Sequence, residues 1–177
     1  IRDAITLSVQ LIADFGLNGQ TLRADSAVLP IAYYLYHKNY SPSYLTHNSH
    51  NDDRNQIKGW LFRSLLKSSG IWGSGLDTLL TALRSTIQNS TASGFPLEEI
   101  NQTMRQRGKS LNFEAEEIEE LTSMKYGDKR VFLLLSLLYP FVDLRNQFHV
   151  DHIFPRSKFK PAQLQQNGFD DDAIENL

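Results

Sequence analysis

The chain has 177 residues, of which 41% are hydrophobic and 21% charged, so it can form one domain with a substantial core. The formal net charge of −2 excludes a strong overall positive field, so attraction to nucleic acid would require a local basic patch. The absence of cysteine excludes disulfides and cysteine-based zinc sites, and the longest apolar run, 131–135, is far too short for a membrane helix. We therefore expect a cytoplasmic protein without a membrane partner.

Apolar residues recur at intervals of three and four along most of the chain, which predicts helices. The first predicted helix ends near Gly16 and rests on the row Ile5, Val9, Ile12 and Phe15, which recur at these intervals. The spacing predicts further helices over 26–36, 53–67, 76–87, 97–107 and 114–124, separated by polar loops that include 41–51 and 89–96.

The segment 129–138 is apolar on nearly all sides, which predicts the buried centre of a helical bundle. Asp128 is a suitable N-terminal cap for this helix, and Pro140 ends it.

Several polar clusters elsewhere admit a functional interpretation. His47 and His50 lie near two aspartates, but an exposed loop is favoured over a metal site, and the glutamates of 114–120 are better explained as the exposed face of a helix. The tyrosines of 33–36 could stack on bases, although packing in the core is favoured.

The residue types change at 148–154, where β-branched and aromatic residues are mixed with polar ones and predict a short strand that ends at Pro155. Asp151 directly precedes His152 in this strand. Hydrolysis of a phosphodiester needs an activated water and a cation that stabilises the developing charge. A carboxylate suits Mg²⁺ or Mn²⁺, and a neutral imidazole is a natural general base near neutral pH. The alternative is a pair that only forms hydrogen bonds in a turn.

This segment resembles the HNH, or ββα-metal, nuclease family, in which Asp-His-Ile-x-Pro precedes a loop with a glycine and then Asn-Leu. The match covers 151–155, Gly168 and 176–177. The resemblance implies that Asp151 is a metal ligand, that His152 is the catalytic general base, and that Asn176 joins the catalytic residues by bracing the loop. The family's last helix, with a further ligand, would follow Leu177, so the finger is incomplete here.

The helical part adds a looser resemblance to the GmrSD-type family of modification-dependent (type IV) restriction and phage-defence proteins. The similar segments are 29–36, 57–61 and 130–134, leading into the Asp-His-Ile-Phe-Pro motif. This resemblance implies a ParB-like domain upstream in the same parent protein, as well as DNA as a partner.

Basic residues surround the motif. Arg156, Lys158 and Lys160 are candidate contacts to DNA phosphates, although an ordinary solvated loop explains them equally well. His149 is a further candidate DNA contact, and its alternative is a structural neighbour of the motif.

The sequence thus predicts a mainly α protein, with a helical bundle domain over 1–145 and the start of a ββα-metal finger over 146–177. Because Ile1 enters an amphipathic pattern at once, we expect an internal piece of a larger DNA endonuclease that is inactive by itself. The alternative is a non-catalytic helical module for DNA recognition or domain coupling, with a degenerate nuclease tail.

Overall fold

The computed structural model describes residues 1–19, 21–67, 70–125, 127–144 and 156–175. The elements in these ranges are helical, which confirms the prediction of a mainly α protein. The helices are α1 Arg2–Asp14, α2 Val28–His37, α3 Asn51–Leu66, α4 Leu76–Asn89, α5 Leu97–Arg105, α6 Ala115–Thr122, α7 Arg130–Leu138, α8 Pro161–Gln166 and α9 Asp171–Glu175. Short 3-10 helices lie at Asp25–Ala27, Pro42–Leu45, Asn48–His50 and Arg156–Phe159.

Helix α3 is the centre of the bundle. It packs against α5 and α7, while α2 lies between α1 and α4, and α4 also contacts α5. Each large apolar side chain that becomes fully buried contributes roughly 1.5–3 kcal/mol to folding, so α3 carries much of the core's stability. Its buried apolar residues are Ile57, Trp60, Leu61, Phe62, Leu65 and Leu66.

Helix α7 is not the buried centre that its composition predicts. Leu133 and Ser136 are its buried residues, whereas Leu135 and Leu138 are 40% and 61% exposed. Helix α7 packs against α3 along one side, so most of its remaining apolar surface stays at or near the surface. An apolar composition specifies which faces can be buried, but the partners that bury them come from the tertiary structure.

The buried face of α1 also differs from the predicted one. Ile12 and Phe15 are buried as expected, but Ile5 and Val9 are 43% and 52% exposed. The helix instead turns Leu7 and Leu11 inward, together with the small residues Ala4 and Ser8, and packs against α2. This buried face also has the three- and four-residue spacing of a helix, so the spacing alone does not choose between the two faces.

The predicted start of the ββα finger cannot be compared directly, because the predicted strand 148–154 lies outside the described residues. The described residues after it form a 3-10 helix, then α8 and α9, which pack mainly on one another. Leu164 of α8 is buried there, outside the main core cluster. Among the helices of the described ranges, none has the combination of length and apolar character that crossing a membrane requires.

A buried carboxylate joins three parts of the bundle. Asp53 in the first turn of α3 is 8% exposed and accepts hydrogen bonds from the hydroxyl groups of Tyr34, at 2.7 Å, and Tyr44, at 2.8 Å. It also accepts a hydrogen bond from the backbone N–H of Phe95. Buried charges persist in proteins only when hydrogen bonds compensate for lost water, so this network fixes α2 and two loops against α3.

This network predicts a loss of stability in alkali. Burial, followed by the hydrogen bonds with neighbouring side chains that include Asp53, raises the pKa of Tyr34 and Tyr44 well above their usual value of 10.0. The folded protein keeps both hydroxyl groups protonated where the unfolded chain would ionise them. Their contribution is therefore complete below pH 10 and is lost as the pH rises above it.

We expect the urea midpoint to be stable up to about pH 9 and to fall above about pH 10, together with the absorbance change of tyrosinate. A variant with both Tyr34→Phe and Tyr44→Phe should be less stable at neutral pH and show a smaller alkaline decline. An equal decline in both proteins would contradict the assignment to these two hydroxyl groups.

Candidate functional site

The structure describes only part of the predicted nuclease motif. His149, Asp151 and His152 lie in the range 145–155, and Asn176 lies beyond residue 175, so these four fall outside the described residues. The metal ligand and the general base therefore remain predictions from the sequence.

The basic residues after the motif begin the C-terminal helical unit. Arg156 is the first residue of the 3-10 helix Arg156–Phe159, although its side chain lies outside the description. Lys158 and Lys160 are exposed. Lys160 directly precedes α8, and Pro161 is suited to the first position of this helix because its φ is fixed. Asp171 of α9 accepts a hydrogen bond from Gln165 and places a carboxylate in the same unit.

The other polar clusters have structural explanations. The ring of His50 lies 4.9 Å from that of Tyr44, and Nδ1 of His47 is 2.8 Å from Oγ of Ser49, so both histidines have partners within residues 44–50. Across the described ranges, no group of three or more His, Asp or Glu residues is arranged to hold a metal ion. Of the tyrosines in 33–36, Tyr34 is fully buried and Tyr33 half-buried, as the packing interpretation expects, whereas Tyr36 is 52% exposed.

The glutamates of 114–120 lie along or next to α6 and are mostly exposed, as predicted. Glu117 is the exception. It forms an ion pair with Lys67, and hydrogen bonds with Lys67 and the backbone N–H of Glu114 lower its pKa below its usual range. The same side chain closes a capping box with Glu114 at the start of α6, so its role is to attach this helix to the bundle.

The described range 127–144 ends beside a cleft that sequence reasoning did not indicate. This entry cleft has a volume of about 620 Å³ and contains Val142, Asp143 and Leu144, the last described residues before the predicted motif. Its other wall comes mainly from α1 and the first turns of α3. Any group bound here would therefore lie next to the residues that lead into 145–155.

Two cations of α3 line the entry cleft, and they are engaged differently. Arg54 donates hydrogen bonds to the carbonyl oxygens of Tyr44 and His47 and to the side chain of Asn51, so it holds the loop before α3. Lys58 forms no ion pair within the described ranges, and its Nζ lies 5.6 Å from the ring centre of Phe62.

Partial burial lowers the pKa of Lys58. A cation that has lost some of its water gains more than an exposed one from a nearby anion. Asp14 and Asp143 line the same cleft, so the local charge is balanced rather than strongly positive. Lys58 is thus a possible phosphate contact, but the cleft as a whole does not attract anions by its charge alone.

The entry cleft could not be found from the sequence, because the residues that line it are far apart in the chain. They come from α1, the loop before α3, α3 itself and 142–144. The sequence does contain a signal for Lys58, since this lysine lies between the apolar residues Ile57 and Trp60. The pattern does not show which groups lie near the lysine side chain. No protein-family model matches the sequence, and a comparison with curated proteins finds no significant match.

Proposed function

We propose that the chain is part of a metal-dependent DNA endonuclease that acts in restriction or phage defence. The single observation that carries this proposal is the motif Asp-His-Ile-Phe-Pro at 151–155, followed by Asn176 and Leu177. Its residue types match the needs of phosphodiester hydrolysis, and the order and spacing match the HNH pattern described above.

The chemistry follows from these residue types. His152 accepts a proton from a water molecule while the water oxygen forms a bond to phosphorus. The bond between phosphorus and the leaving oxygen breaks, and this oxygen departs with the electron pair. A Mg²⁺ or Mn²⁺ ion held by Asp151 would stabilise the negative charge on the phosphate, and Asn176 would brace the loop around the site.

The helical bundle would serve as the scaffold for this motif. Lys58 lines the entry cleft beside 142–144, which precede the motif, and Lys158 and Lys160 are exposed shortly after it, so all three lysines offer phosphate contacts. The bundle would also connect the nuclease to a ParB-like domain upstream in the parent protein.

Plasmid nicking by the intact parent protein tests the proposal. We expect nicking that requires Mg²⁺ or Mn²⁺ and falls by at least about 100-fold in His152→Ala, because a general base contributes roughly this much. His47→Ala is the matched control, since this histidine lies in an exposed loop and should leave nicking unchanged.

Nicking that persists in EDTA or in His152→Ala would refute the assignment. If neither protein nicks DNA but both bind it, the chain is instead a non-catalytic recognition or coupling module with a degenerate nuclease tail.

A further inference from the structure

A second cleft lies on α3, and Asn55 lines both this cleft and the entry cleft. Residues of α3 and α5 form most of its lining, and Leu137 of α7 also contributes. We call it the arginine cleft, because Arg63 of α3 and Arg105 of α5 both line it. Its volume of about 390 Å³ falls in the range of sites that bind small molecules.

One side-chain atom of Asn101, which lines this cleft, has no hydrogen-bond partner among the described residues. Its Oδ1 atom is buried and accepts no hydrogen bond within the described part of the chain. Buried polar atoms in folded proteins are almost always hydrogen-bonded, and an orphaned one is costly unless something occupies the site. Oδ1 itself has almost no accessible surface, but Asn101 lines the arginine cleft, so a rotation of its amide would bring this oxygen to a hydrogen-bond donor of a ligand there.

Gly59 leaves the α3 wall of the cleft open. It lies in the interior of the helix, where glycine is less favourable than alanine. No neighbouring atom lies within 4 Å of the position that its Cβ would take, so packing against the protein does not explain the missing side chain. A glycine at such a place lets a ligand approach the helix backbone.

The charge of the cleft favours an anion. Arg63 and Arg105 are both exposed, and neither forms an ion pair among the residues that the structure describes. Glu98 is the acidic residue in the lining, so the formal charge of the cleft is positive by one unit. Guanidinium groups bind phosphate well because their N–H groups match its geometry.

The rest of the lining suits a ligand larger than a phosphate ion. Four amide side chains line the cleft together with the two arginines, and each offers a donor and an acceptor, as needed for the edge of a base or a sugar hydroxyl group. These amides belong to Asn55, Gln56, Asn101 and Asn112.

We propose that the arginine cleft binds one nucleotide of a DNA strand, with its phosphate on Arg63 and Arg105 and its base or sugar on the amide of Asn101. That the ligand is DNA rests on the proposed function, whereas the negative charge of the ligand follows from the charge of the cleft itself. The helical bundle therefore holds DNA at a site of its own, separate in the sequence from the nuclease motif.

Fluorescence anisotropy with a short single-stranded oligonucleotide, titrated at several salt concentrations, tests this proposal. The variant Arg63→Gln/Arg105→Gln should bind at least about tenfold more weakly. Its plot of log K against log salt should be shallower by about 0.7, since the one phosphate contact that is lost contributes about this much for a single strand.

The control variant Arg2→Gln/Lys125→Gln removes the same charge from two exposed positions that line neither cleft. Its affinity should stay within about twofold of the original chain, because general charge effects are weak across a screened surface. Equal losses in the two variants, or no binding by the original chain, would overturn the proposal.

Asn101→Leu provides a second, uncharged test. It removes the orphaned oxygen, so the melting temperature should stay equal or rise, while affinity for the oligonucleotide should fall at least fivefold. Unchanged affinity would exclude a contact with Asn101. Nicking by the parent protein is measured separately. If the oligonucleotide binds through the arginine cleft but the parent protein does not nick DNA, only the nuclease assignment is refuted.

Discussion

Replacing Asp53 with alanine is expected to lower the free energy of unfolding by about 3–5 kcal/mol. The change removes the acceptor of hydrogen bonds from Tyr34, Tyr44 and the backbone of Phe95. Three buried donors would then have no partner, and each costs roughly 1–3 kcal/mol when it is left unsatisfied. Urea unfolding monitored by circular dichroism should show a lower midpoint with an unchanged slope.

Asp52→Ala is the matched control, because Asp52 is the preceding residue in the same helical turn but is exposed. This change removes only a favourable interaction with the positive end of α3 and should cost at most about 1 kcal/mol. Similar losses in the two variants would mean that the helix terminus, rather than the buried network, is the source of the stability. Asp53→Asn should fall between them, since it retains one acceptor oxygen.

The fold was predictable where the relevant interactions are local. The helices follow the three- and four-residue spacing of apolar residues, and α1 ends close to Gly16, as a glycine at this position predicts. The role of Asp53 was not predictable, because its partners lie 9 to 42 residues away in the sequence. A polar segment with an aspartate indicates a helix start, but it does not show that the aspartate is buried.

The candidate sites likewise differ in whether their residues are close together in the sequence. The predicted nuclease motif is a compact sequence pattern, so its residues could be proposed without a structure. The two clefts could not, since they combine side chains of helices that are distant in the sequence. Arg63 and Arg105 appear in the sequence as ordinary exposed residues of separate helices, and only the packing of α3 against α5 brings them to one cavity.

Replacing Gly16 with alanine is the second change with a large expected effect, a loss of about 2–4 kcal/mol in the free energy of unfolding. Gly16 follows α1 with a φ of +83°, which is unfavourable for a residue with a side chain. A Cβ atom at this position would also lie 2.8 Å from Cζ of Phe132 and 3.0 Å from the carbonyl oxygen of Leu144. Backbone strain and a steric clash therefore add together.

Gly108→Ala separates the two effects. Gly108 follows α5 with a φ of +69°. After Gly16 and after Gly108 alike, the next residue donates a backbone hydrogen bond to the final turn of the preceding helix. No atom lies within 4 Å of the Cβ position at Gly108, so this variant should lose only the roughly 1–2 kcal/mol of backbone strain.

The loss of unfolding free energy in Gly16→Ala beyond that in Gly108→Ala measures how closely the end of α1 packs against Phe132 and Leu144. Equal losses in the two variants would show that this contact adjusts freely. Because Leu144 is the last described residue before the predicted motif, a tight contact also predicts reduced nicking by the parent protein in Gly16→Ala. Gly108→Ala should nick DNA normally at temperatures where both variants remain folded. Such a difference would connect the end of α1 to the placement of the nuclease motif, which stability measurements alone cannot do.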